Sequence, residues 1–190
     1  MQPYGSIDGN SVSVLAMSFG RGGQEAIMAV FLNAKGQIDS QSKFDTLNNP
    51  QDLTDFERLI EERKPDVIAI GGFNAETHRL RTDTDAILKN LAAKRLGSDG
   101  MPQGMSDLAA QEYLDAISQR QTRLIYVQDE VARLYMNSAR ALQENPAWPP
   151  NARYALALAR YVQDPLNEYC ALGADITAVS YNDKNQALVS

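Results

Sequence analysis

Among its 190 residues the chain has a single cysteine, Cys170, and a single histidine, His78. That scarcity excludes a disulfide framework and a His/Cys zinc site, and it fits a reducing compartment such as cytosol or nucleus. Carboxylate-bound Mg²⁺ or Mn²⁺ stays open. No stretch approaches the roughly 20 apolar residues of a membrane-spanning helix, and the amino terminus lacks the charged-then-apolar pattern of a secretory signal. Bases are also in short supply. Lys and Arg number 18 against 24 Asp and Glu, for a net charge of -6 and a pI near 4.8. Tight, sequence-independent binding to nucleic acid needs a basic face that displaces counterions, so this balance argues against it. Internal repeats and low-complexity tracts are missing as well.

What is present is enough for a sizeable core, with 44% hydrophobic residues. The most informative stretch is Pro65 to Asn74, in which Val67-Ile68-Ala69-Ile70 lead into Gly71-Gly72. Four apolar residues in a row, rich in β-branched types, read as a strand buried on both faces, and the glycine pair lets the backbone turn after it. In open sheets of this class sites form at the carboxyl ends of central strands, which puts Gly71 to Asn74 where a site belongs. Nothing in those residues is reactive.

Residues 1–10 read as a disordered lead, 11–181 as the folded domain and 182–190 as a polar tail that begins a next module of a longer protein. Residues 11–19, Ala26–Leu32 and Gln37–Phe44 form three successive strands joined by Gly20-Arg21-Gly22-Gly23 and Asn33-Ala34-Lys35-Gly36, and the polar third strand suits an edge. A helix opens at Asn49-Pro50 with Asp52 in its first turn, presents Leu53, Phe56, Leu59 and Ile60, and ends at Pro65. Asn74 caps a second helix that runs to about Arg95 with Gly97 as its stop, followed by a flexible insertion over 97–106. Asp107–Gln119 is helical, and Thr122–Val127 is a strand parallel to the central one that delivers Asp129-Glu130. A short helix to about Leu142, a connection over Pro146–Pro150, a helix over Asn151–Val162 and a last helix to Gly173 complete the chain. Three antiparallel strands, then helix, strand, helix, strand, helix is the element order of the α/β ribonuclease H-like fold, a five-stranded mixed sheet with helices on both faces.

Three segments carry a resemblance. They are Pro65 to Gly72, then Leu124 to Ala132 (Leu-Ile-Tyr-Val-Gln-Asp-Glu-Val-Ala), and above all Ala155 to Tyr169 (Ala-Leu-Ala-Leu-Ala-Arg-Tyr-Val-Gln-Asp-Pro-Leu-Asn-Glu-Tyr). They resemble the YqgF-like domain shared by bacterial Tex and its eukaryotic relatives, the suppressor of Ty six elongation factors, over roughly residues 12–181. Tyr135-Met136-Asn137-Ser138 and the Asn145–Pro150 connection are closer to the eukaryotic branch. The resemblance implies one domain of a large nuclear factor that travels with RNA polymerase II, chaperones histones and carries several nucleic-acid-binding modules. Partners would then be those other modules, with transcription machinery and histones reached through the full-length protein and no membrane involved.

Active members of the wider superfamily cut phosphodiesters with two metal ions held by clustered carboxylates. At the matching places this chain has Ser18 on the first strand, Gly71 and Gly72 after the central strand, and no carboxylate in Asn151–Val162. Asp129 and Glu130 alone remain, with Glu76 the nearest other acid in the following helix. These five vestigial positions imply a domain without catalysis, metal or cofactor. The alternatives are a divergent nuclease that recruits Asp129, Glu130 and a displaced acid such as Glu25 or Asp164, and a nucleic-acid-binding module that does not cut.

Plainer readings stand beside these. Asp129-Glu130 reads as a helix-opening pair that satisfies free N–H groups. The Gly20-x-Gly22-Gly23 turn reads as a hairpin, because it lacks the Gly-Lys-Ser/Thr ending of a phosphate loop. His78 reads as a solvated residue without a partner, and Cys170 as packed in the last helix. Arg79, Arg81 and Lys89, with Lys94 and Arg95, make the most basic helix, but Asp83 and Asp85 interleave. Phosphate or partner contact through Arg79, Arg81, Lys89 or Trp148 is the functional alternative, and Trp148 between prolines reads either as a core anchor or as such a contact.

Overall fold

The computed structural model describes residues 12–19, 25–72, 75–99 and 122–165, with Ser106 and Leu108 between the last two segments. Five strands, β1 (Val14–Ser18), β2 (Ile27–Leu32), β3 (Ile38–Phe44), β4 (Val67–Gly71) and β5 (Arg123–Val127), form one sheet in the order β3-β2-β1-β4-β5. β1 pairs antiparallel with β2 and parallel with β4, and β5 adds parallel to β4. Helices α1 (Pro50–Arg63) and α2 (Ala75–Asp99) precede and follow β4. After β5 come α3 (Glu130–Tyr135), α4 (Ala139–Glu144) and α5 (Pro150–Gln163).

The period-2 geometry of the strands divides the core in two. Val14, Ala16, Val30, Leu32, Val67 and Ala69 face α5, whose Ala152, Ala155 and Ala159 are fully buried. Leu15, Met17, Phe31, Ile68 and Ile70 face the other way, onto Phe56 and Ile60 of α1 and Leu80, Ile87 and Leu91 of α2. Burying each such side chain contributes about 1.5–3 kcal/mol. β1, β2 and β4 are therefore buried throughout, whereas β3 at the edge buries only Phe44, stacked edge-on against Phe56 at 5.5 Å.

The caps of α1 follow from its sequence. Asn49 accepts a hydrogen bond from the Gln51 N–H at 3.1 Å and Pro50 takes the first helical position. Asp52 does more than meet the dipole: it accepts from the Asp45 and Thr46 N–H groups at 2.9 and 3.1 Å, tying down the loop from β3. The helix stops at Lys64, before Pro65, because Lys64 adopts a left-handed conformation (φ 46) that returns its N–H to Ile60.

Two expectations need correction. α2 continues through Gly97 to Asp99, so Gly97 is not its stop; one glycine costs a helix only about 1 kcal/mol relative to alanine, too little to end 25 residues of it. The helix after β5 is two helices, because Ser138 accepts from the Ala141 N–H at 3.1 Å and starts a new one. The lead 1–10, the Gly20–Gly23 turn, Asn74 as a cap, the 107–119 helix, the segment to Gly173 with Cys170, and the tail 182–190 lie outside the described residues.

Candidate functional site

Because β1, β4 and β5 run parallel, Ser18, Gly71 and the Asp129 that follows β5 arrive at the same end of the sheet. The amino-terminal half of α5 crosses over that end and brings Tyr154. Between them lies a cavity of about 510 Å³, lined among others by Ser18, Glu25, Gly71, Thr77, Asp129 and Tyr154.

Both oxygens of Asp129 are engaged inside the protein. The Tyr154 hydroxyl donates to Oδ2 at 2.9 Å, and the Arg133 guanidinium lies 3.3 Å from Oδ1. Burial pushes the Tyr154 phenol above its ordinary pKa, and the charge and hydrogen bond of Asp129 push it the same way. Tyr154 is thus held as a neutral donor. Asp129 occupies the N-cap position of α3 but makes no side-chain cap hydrogen bond, so the expected helix-opening role is not the one its carboxylate plays. Glu130 is the first residue of α3 and exposed.

The glycine pair is fitted around this contact. A Cβ on Gly71 would fall within the Tyr154 hydroxyl and 2.7 Å from Leu158 Cδ1. Gly72 has φ +87, and its N–H donates to Val127 at 3.2 Å, so the turn away from β4 requires glycine. A Cβ there would lie 3.3 Å from Asp129 Oδ2. Any side chain at position 71, a carboxylate included, would have to displace Tyr154.

Among the described residues no three of His, Cys, Asp and Glu converge as ligands. Glu25 lines the cavity, so one displaced acid is in place. Asp164 is not: it ends α5 beside Gln163, whose amide donates to Val12 and Asn33 carbonyls at 2.8 Å, at the opposite end of the sheet. Glu76 sits in the first turn of α2 and does not line the cavity.

The basic residues of α2 do not gather at the cavity. Arg81 stacks on the Tyr126 ring at 4.4 Å, Lys89 pairs with Asp85 at 2.6 Å and Lys94 with Glu57 at 2.9 Å, while Arg79 is exposed. His78 is exposed but has a partner, Tyr126 Oη at 3.2 Å from Nδ1, which only the pairing of α2 with β5 brings near. Trp148 is half-buried against the α5 core, and its carbonyl accepts from Arg153 at 3.0 Å.

Sequence reasoning missed the residues that shape the site. Tyr154 and Arg133 carried a weak signal: a tyrosine in the alanine-rich helix searched for a carboxylate, and an arginine four residues after Asp129. Arg153, 5% exposed, bridges the Met136 and Trp148 carbonyls at 2.8 and 3.0 Å and fixes the approach to α5. Tyr135 donates to Glu144 at 2.6 Å, and Arg160 donates to the same carboxylate at 2.8 Å, joining α3, α4 and α5. Burial, then the Glu144 hydrogen bond, push Tyr135 up to about 12. Burial alone would raise Glu144, but the Tyr135 and Arg160 bonds outweigh it and hold its pKa below the ordinary value.

Comparison with known proteins gives this architecture a family. The profile described as YqgF, Holliday-junction resolvase-like of SPT6, matches residues 8–105 and 105–173. The chain is 34% identical over 192 residues to the transcription elongation factor spt-6 of Neurospora crassa, covering 98% of this chain and 13% of that protein. With the SPT6 of Gibberella zeae it shares 34% over 184 residues, covering 95% of this chain and 12% of the relative. With the spt6 of Schizosaccharomyces pombe it shares 35% over 175 residues, or 92% and 11%. It spans only about an eighth of the length of the curated relatives it matches. Its fold is ribonuclease H-like, and the chain belongs to the YqgF family, the Holliday-junction resolvase-like domain of SPT6 transcription elongation factors.

Proposed function

We propose that the chain is a non-catalytic YqgF domain acting as a scaffold or interaction module within a transcription elongation factor. The observation that carries this reading is the engagement of Asp129 by Tyr154 and Arg133. Two-metal phosphodiester cleavage needs several carboxylates with free oxygens around both ions. Here Ser18, Gly71 and Gly72 offer no carboxylate, Glu130 faces solvent, and the helix across the cavity contributes a phenol. The parent factor would be nuclear, work with RNA polymerase II on chromatin and act as a histone chaperone, with residues 11–181 as one of its modules. Contact with nucleic acid by this domain would be weak, in keeping with the net charge of -6. The test is incubation with labelled four-way-junction DNA, single-stranded DNA and RNA in Mg²⁺ or Mn²⁺, beside Asp129→Asn and a metal-free control. No metal-dependent cutting is expected. Cutting that disappears in Asp129→Asn would establish the nuclease alternative, with Glu25 as the acid to examine next.

A further inference from the structure

The sheet ends at β3, and among the described residues no strand pairs with its outer side. An edge strand presents a row of backbone N–H and C=O groups that a further strand can complete. Beside this edge, between β3 and α1, runs a depression of about 400 Å³, lined by Ser40, Ser42 and Phe44 of the strand and, among others, by Arg58, Glu62 and Arg63 of the helix. Ser40 Oγ is shielded from solvent and has no hydrogen-bond partner among the described residues. Buried hydroxyls are rarely left so, which points to a group supplied from outside.

The edge is complementary to itself when a second copy is turned antiparallel about Gln41. Ser40 then lies opposite Ser42 of the second copy, whose hydroxyl can complete it after a turn about one side-chain bond. The helices follow the same axis. Asp39 pairs with Arg63 at 2.5 Å and Phe44 packs on Phe56, so β3 and α1 lie side by side in opposite directions. Gln41 stands two-fifths of the way from Asp39 to Phe44, which on α1 falls at about residue 60, midway between Arg58 and Glu62. Each Arg58 therefore meets the other copy's Glu62 across the axis. Both side chains are free to do so, being 65% and 63% exposed and only 4.0 Å apart within their own helix.

The other face of the strand fits as well. Ile38 shares the face of its neighbour Leu32 and is 40% exposed. The antiparallel turn brings Lys43 beside it, and the lysine stem covers it while the ammonium stays in water. A lysine and the bulge at Asp39 blunt an edge against indiscriminate pairing. About Gln41 neither obstructs, because the bulge falls at the end of the paired stretch and Lys43 meets no second lysine.

We infer that two copies of the chain pair through β3, antiparallel about Gln41, and join their sheets into one. The seam is short, so the dimer forms and dissociates with concentration. This goes beyond the reading of the Asp129 site and holds whether or not that site cuts. The test is sedimentation of the chain, with ¹⁵N amide spectra, from micromolar to millimolar concentration. The mass should rise from 20.9 kDa toward twice that value, and the amide signals of Ser40, Gln41, Ser42 and Lys43 should shift with the same midpoint. Arg58→Glu and Glu62→Arg, both exposed changes, should each weaken association at least tenfold without altering Tm. The two changes combined in one chain should restore it, since the exchanged charges meet again across the axis. Association indifferent to the single reversals, or shifts confined to residues away from β3 and α1, would overturn the inference. So would a chain that stays monomeric at millimolar concentration, which would leave the edge to an extended segment of another protein.

Discussion

Replacing Gly71 by alanine probes the contact that closes the site. Gly71 has no left-handed φ, so its backbone accepts alanine, and the loss of unfolded-state freedom alone would stabilise the fold by about 0.4–1 kcal/mol. Space decides otherwise. The new Cβ would meet the Tyr154 hydroxyl, Leu158 Cδ1 at 2.7 Å and Tyr154 Cζ at 2.9 Å. Leu158 is fully buried and Tyr154 is held by Asp129, so neither yields without repacking α5. Overpacking of this kind costs about 1–3 kcal/mol, and two rigid neighbours put it at the upper end. The net loss should be about 2 kcal/mol, lowering Tm by roughly 4–8 °C for a chain of this size. Urea denaturation followed through Trp148, the only tryptophan, measures it. Tyr154→Phe by itself removes a charge-assisted hydrogen bond worth about 1.5–3 kcal/mol. In that background Gly71→Ala should cost about 1 kcal/mol less than in the parent, because the hydroxyl it collides with is gone. Strict additivity, or a Gly71→Ala variant more stable than the parent, would refute the argument that Tyr154 fills the place of the missing side chain.

Other consequences are simpler to read. Lys64→Gly should stabilise the chain by about 0.5–1 kcal/mol in the same assay, since Lys64 holds φ 46 where glycine carries no Cβ penalty. Arg153→Met should cost about 3 kcal/mol by stranding the Met136 and Trp148 carbonyls, and should red-shift the tryptophan emission. In a spectrophotometric titration at 295 nm, Tyr135 should ionise only near pH 12 and Tyr154 not before unfolding. Their raised folded pKa values mean that stability is present below the ordinary phenol pKa of about 10 and declines as pH rises through the folded values. Glu144 carries the opposite sign: its depressed pKa stabilises the fold above the ordinary carboxylate range, and that contribution is lost as pH falls through the folded value. Glu144→Gln should therefore flatten the acid limb of the stability profile.

The fold was legible wherever burial is written in the local pattern. Val67 to Ile70 could only be a strand covered on both faces, the polar alternation of β3 marked an edge, and Asn49-Pro50 announced α1. The end of α2 was harder, because Gly97 reads as a stop but costs too little to end a long helix. At the site, the residue types at each strand end could be read from sequence, but what Asp129 touches could not. Tyr154 reaches Asp129 across 25 residues of chain, and only the crossing of α5 over the sheet end makes that contact. His78 with Tyr126, 48 residues apart, and Arg153 with Met136 depend likewise on pairings that no local pattern encodes. The packing of Trp148 against α5 was likewise invisible between its prolines.

The central claim is that Asp129 is spent on Tyr154 and Arg133 and cannot serve a metal pair. A calorimetric titration of the chain with Mn²⁺, run beside Asp129→Asn, tests it most directly. The account predicts no saturable binding in either protein. Stoichiometric binding that vanishes in Asp129→Asn would contradict it, and would mean that the carboxylate leaves its two partners to take up metal.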